Sequence, residues 1–87
     1  MAHAVEYRTR ALRGLARLPA RTAARIMTRL DDVAEDPRRK DNALEPIKGL
    51  PNGFRLRVGD YRACYILSPA TIDVFEVAHK KDTRYAP

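Results

Sequence analysis

The chain has 87 residues, of which 45% are hydrophobic and 32% charged. That length and balance predict a single globular domain over residues 1–87 with a thin core, and they exclude a disordered tail. Lys and Arg outnumber Asp and Glu by 17 to 11, a formal charge of +6, which in so small a chain favours polyanionic partners: nucleic acid, or an acidic protein that covers the basic surface. No apolar run approaches the ~20 residues of a membrane span, and the N-terminus has no apolar stretch of signal-peptide length. The expected location is therefore the cytoplasm, with no membrane partner. The single cysteine, Cys64, sits in an apolar run and reads as a small core residue in a reducing compartment.

Residues 4–8 alternate, Val5 and Tyr7 against Glu6 and Arg8, and predict a short first strand. Thr9 fits the N-cap of a helix. Leu12, Leu15 and Leu18 then recur on one helical face, with Arg10, Arg13 and Arg17 elsewhere; Gly14 weakens this helix without forbidding it, and Pro19 ends it. From Ala20 to Glu35 the positions Ala23, Ile26, Met27, Leu30, Val33 and Ala34 follow the i, i+3, i+4, i+7 pattern of an amphipathic helix. Arg29 lies within pairing reach of Asp32. The two helices, joined by a tight Pro-containing link, read as a helical hairpin, and Asp36-Pro37 stops the second.

A charged connection over residues 38–42 leads to Leu44, Pro46, Ile47 and Lys48, and the run from Gly49 to Gly53 is a dense turn signal. Phe54, Leu56 and Val58 alternate with Arg55 and Arg57, which predicts a half-buried strand with two arginines on its outer face. Gly59-Asp60 predicts a tight reversal into an antiparallel partner from Tyr61 to Leu67. Ser68-Pro69-Ala70 turns the chain again, and residues 71–77 form a third run, apolar on both faces and hence central. The expected fold is α+β: a small antiparallel sheet in the order β-α-α-β-β-β with the N-terminal helical hairpin packed on one face.

Period-2 geometry points Arg55 and Arg57 the same way, and the hairpin brings Arg62 across from them. If the tail after the third run folds back, Arg55, Arg57, Arg62, Lys81 and Tyr85 converge on one surface able to hold phosphates by charge-assisted hydrogen bonds. Lys48, Lys80 and Arg84 extend that surface as substrate contacts. Tyr85 and His79 can stack on bases or carry protons. The competing reading is a solvated basic sheet face of ordinary arginines.

His3, His79 and Cys64 show no zinc spacing, there is no glycine-rich phosphate loop, and no group of carboxylates is arranged for Mg²⁺. The expectation is no metal and no cofactor. RNA cleavage without metal is chemically possible because the 2′-hydroxyl is itself the nucleophile: the protein orients the attack, neutralises the phosphorane and moves two protons. Arginine suits the second task; the proton carriers are sought among Tyr85, His79 and a lysine of lowered pKa.

The arrangement L-E-P-I-K-G-L-P-N-G-F-R-L-R-V-G-D-Y-R-A-C-Y, followed by I-D-V-F-E-V-A-H-K-K-D-T-R-Y, resembles the RelE/ParE superfamily of bacterial and archaeal toxins over nearly the whole chain, and the RelE branch most. The resemblance implies a compact toxin neutralised by a cognate antitoxin, in complexes that can extend to operator DNA. For the RelE branch it implies cleavage of mRNA in the ribosomal A site, with ribosome and mRNA as partners. For the ParE branch it implies inhibition of DNA gyrase without nuclease activity. By the same resemblance Arg62 falls where RelE toxins stabilise the phosphate, and Arg55 and Arg57 fall at lysine positions. Lys81 falls at the site of leaving-group protonation, and Tyr85 lies near the C-terminal tyrosine proposed as base. His79 matches a histidine frequent before the basic tail pair. Arginine in place of lysine keeps charge but removes proton-transfer groups.

Overall fold

The alternating and helical patterns become seven elements in the computed structural model, which describes residues 2–83. They are β1 (Ala4–Tyr7), α1 (Thr9–Ala16), α2 (Ala20–Glu35), β2 (Leu44–Pro46), β3 (Gly53–Val58), β4 (Tyr61–Leu67) and β5 (Thr71–His79). The strands form one sheet in the order β1-β5-β4-β3-β2. The α+β class and the helical hairpin on one face are as expected.

Three details differ from the sequence reading. The sheet is mixed rather than wholly antiparallel, because β1 runs parallel to β5, from Ala4 opposite Thr71 to Tyr7 opposite Val74. A helical hairpin and three strands separate these two strands in sequence, so no tight turn forces them to oppose. The connection after α2 also contains an additional strand: β2 lines Leu44, Glu45 and Pro46 against Leu56, Arg55 and Phe54, and the cross-strand Glu45–Arg55 pair fixes it there. Finally, Thr9 is the first residue of α1 rather than its cap. Arg8 takes the cap position without a side-chain cap bond, and its guanidinium instead holds Asp73 at the start of β5, with Nε 3.0 Å from Oδ2.

The helix-facing side of the sheet carries the main core. Ala11 and Leu15 of α1 and Ile26, Leu30, Val33 and Ala34 of α2 cover Leu56, Val58, Ala63, Tyr65, Ile72, Val74 and Val77. Each large aliphatic side chain so enclosed contributes roughly 1.5–3 kcal/mol. A bulge in β5 makes this possible: Cys64 opposes Glu76 and Tyr65 opposes Val74, which leaves Phe75 as the extra residue. Val74 and Val77, three apart, therefore both face the helices.

The outer side is covered only in part. Ile47 and Leu50, from the turn after β2, fold over Cys64, Ile66 and Phe75 to make a second small cluster. Beyond it, toward the β3–β4 turn, the outer face is open.

Gly14 explains where α1 lies. A Cβ at this position would stand 2.0 Å from the carbonyl oxygen of Val77, so only glycine lets the helix rest on the second half of β5, where β1 has already ended. At the β3–β4 reversal, Gly59 adopts φ +59°, which makes the two-residue turn between Val58 and Tyr61 available.

Candidate nucleic-acid interface

The β3–β4 register builds the site. Arg57 lies directly opposite Arg62, and Arg55 opposite Cys64, so all three arginines project from the outer face. Their surroundings differ. Arg55 is engaged by Glu45, with Nε 2.9 Å from Oε1. Arg57 is exposed and has no ion pair among the described residues. Arg62 curls over the turn and donates from one terminal nitrogen to the carbonyl oxygens of Gly59 at 3.0 Å and Tyr61 at 2.9 Å. Those bonds hold its guanidinium in place without neutralising it, and its remaining N–H groups stay available.

The basic residues around this pair divide. Lys80 reaches the same turn: its amide donates to the carbonyl of Asp60 at 2.7 Å, and its Nζ lies 3.6 Å from the Asp60 carboxylate. Lys48 lines a hollow beside Arg55, together with Pro46 and Ile47. Lys81 is exposed just after β5, and its amide donates to His79 Nδ1 at 3.2 Å. Arg84 and Tyr85 lie outside the described residues.

His79 is not part of the arginine group. It opposes Tyr61, whereas Arg62 opposes Ala78, so its ring points to the helix-facing side. There it meets Tyr61 edge-to-face, with centroids 5.5 Å apart, and borders a hollow with Arg17 and Leu18. The β-strand period separates His79 from the phosphate-binding candidates. Cys64 is fully buried, and burial, reinforced by the Glu76 carboxylate, pushes its thiol up to about 12. It is a packing residue, as its apolar neighbours suggest.

A family model describing the ParE toxin of the type II toxin–antitoxin system parDE matches residues 5–84. The chain belongs to this toxin family. No curated protein sequence matches the toxin, but solved structures do. The toxin–antitoxin complex RelBE2 from Mycobacterium tuberculosis contains a chain 26% identical over 91% of the toxin and 99% of its own length, with a TM-score of 0.76. A mutant of the E. coli toxin RelE in the free state is 22% identical over 95% of the toxin and 88% of its own length, with a TM-score of 0.80. The RelB–RelE complex from Methanococcus jannaschii is 24% identical over 87% and 91%, with a TM-score of 0.69. The last two likenesses speak for the fold alone.

The toxin has one charged element that sequence reasoning missed. Glu76 is only 3% exposed, on the outer face of β5, and it accepts from Arg10 at 2.8 Å. Its signal was present as a lone carboxylate inside the apolar run V-F-E-V-A, a pattern that demands a cationic partner when the strand is central. Which arginine supplies that partner depends on α1 lying along β5, and periodicity does not report that. Alternation alone marks Tyr7 only as a strand residue. Its hydroxyl is buried with no hydrogen-bond partner among the described residues, and burial, followed by the Asp31 charge, raises its pKa to about 12.

Proposed function

We propose that this type II toxin is a ribosome-dependent mRNA endonuclease that is neutralised by a cognate antitoxin. The observation that supports the reading best is the Arg57–Arg62 pair. These two residues stand at opposed positions on an open sheet face, with no carboxylate on either among the described residues. Paired strands about 4.8 Å apart carry such groups within reach of one phosphate.

In the proposed reaction the 2′-oxygen of a ribose attacks the adjacent phosphorus. The bond from phosphorus to the 5′-oxygen breaks, leaving a 2′,3′-cyclic phosphate and a 5′-hydroxyl. Arg57 and Arg62 take up the charge that develops on the phosphorane. Arg55, bound to Glu45, and Lys48 border the strand path, while Lys80 and Arg84 add long-range attraction. Tyr85 is the proposed acceptor of the 2′ proton and Lys81 the proposed donor to the leaving oxygen. His79 faces the other side of the sheet, so it has no part in this step.

The solved relatives that were crystallised with antitoxins, RelBE2 among them, support an antitoxin partner here, and a net charge of +6 favours an acidic one. A second reading is favoured by one specific observation: Tyr61, Tyr65 and His79, the tyrosines and histidine of β3, β4 and β5, all face the helices rather than the side that carries Arg57 and Arg62. Under that reading the face is a protein contact, and the toxin inhibits DNA gyrase without cleaving RNA. Primer extension on a translated message separates the two. New 5′ ends that appear with native toxin and ribosomes, and vanish with Arg62→Ala, are expected. Intact message together with stabilised gyrase–DNA cleavage complexes would replace the first reading with the second.

A further inference from the structure

The open face does not end at Arg62. Its cross-strand partner on β5 is Ala78, a residue too small to form a barrier. Ala78 is also one wall of a groove of about 440 Å³ whose opposite wall is α1, with Arg10, Arg13 and Arg17 along it. Those residues fall at i, i+3 and i+7, one stripe of a helix. Gly14 presses the helix against Val77, and that contact brings the stripe to the level of the sheet. Within the groove the charges are unequal. Arg10 is committed to buried Glu76. Arg13 and Arg17 are exposed and carry no ion pair among the described residues. Asp82 at the rim is the one further acid lining the groove among the described residues. Arg17 is moreover the C-cap residue of α1, so its cation sits at the negative end of the helix.

We infer that the α1–β5 groove is a phosphodiester-binding track that receives the RNA strand as it leaves the Arg57–Arg62 site, with Arg13 and Arg17 as its contacts. The track and the pair lie on one path: from Arg57 across Arg62 to Ala78 is two strand spacings, about 10 Å, and the groove begins there. This rests on the proposed nuclease reading only in naming RNA as the occupant. Arg10 is part of the wall rather than a contact, because its guanidinium is held by the buried Glu76 carboxylate.

The test is a salt titration of binding to a non-cleavable 2′-O-methyl RNA of about twelve nucleotides, read by fluorescence anisotropy. Each lost phosphate contact to a single strand lowers the slope of log K against log salt by about 0.7. The double variant Arg13→Gln/Arg17→Gln should lower it by about 1.4 on the same scale, with only a small fall in thermal midpoint, because both side chains are exposed and only Arg17 gives up a helix-end interaction. The separate variant Arg57→Gln/Arg62→Gln should show a comparable loss and also abolish cleavage on ribosomes. An unchanged slope in the Arg13/Arg17 variant would overturn the track, as would a native toxin that does not bind this RNA. So would a loss confined to antitoxin affinity. A reduced slope in a toxin that never cleaves message would retain the track and remove the nuclease reading instead.

Discussion

Asp41 shows how one side chain can tie down a long connection. Its Oδ1 accepts the amide of Ala43 at 2.9 Å, and its Oδ2 accepts from Arg29 at 3.1 Å. The amide hydrogen bond first, then Arg29, lowers its pKa below the usual carboxylate value. A group depressed in the folded state stabilises above its unfolded pKa of about 3.9 and loses that contribution as pH falls through the lower folded value. Asp41→Asn should therefore lower the thermal midpoint at neutral pH, and the gap to the native protein should narrow below about pH 4; a gap independent of pH would remove the ionic part of this account. Cys64 makes a complementary case. A thiol raised to about 12 inside the sheet presents almost no thiolate near pH 8. Iodoacetamide should label it only in denaturant, and rapid labelling of the native protein would show that the second cluster opens readily.

At the scale of elements, Gly14 reverses the usual rule. Alanine is favoured over glycine in a helix interior by about 1 kcal/mol, yet a methyl group here meets backbone rather than a yielding side chain. Gly14→Ala should destabilise by about 1–3 kcal/mol, the usual cost of overpacking. A denaturant midpoint that rises would mean that α1 stands farther from β5. This contact also shows what the sequence concealed. The helical hairpin, the Gly59-Asp60 reversal and the Arg57–Arg62 pairing were legible, because each follows from local period and turn chemistry. The parallel union of β1 with β5 was not, since strand direction is set by packing between segments far apart in sequence. The Phe75 bulge was not, because it breaks the very alternation used to read a strand. The placement of His79 followed from that alternation counted back from Tyr61, but only once the β4–β5 register was in hand.

For the whole molecule, charge and topology act together. The helices cover one side of the sheet, the turn at Ile47 and Leu50 covers part of the other, and the remaining outer face is dominated by arginine. A net charge of +6 predicts fast, salt-sensitive association with an acidic antitoxin: its association rate constant should fall steeply between low and physiological ionic strength while dissociation changes little. A dissociation rate that carried the whole salt effect would place the charges in the buried centre of the interface instead. Under the proposed nuclease reading the same field would draw RNA toward Arg57 and Arg62, and antitoxin and message would then compete for one cationic surface. The most direct measurement is single-turnover cleavage of a message held on purified ribosomes, comparing native toxin with Arg57→Gln/Arg62→Gln at matched thermal stability. The native toxin should leave 2′,3′-cyclic phosphate ends, and the variant should lose at least about 100-fold in rate, the scale of removing a preorganised charge-stabilising group. Equal cleavage by both proteins, or none by the native toxin, would contradict the nuclease reading.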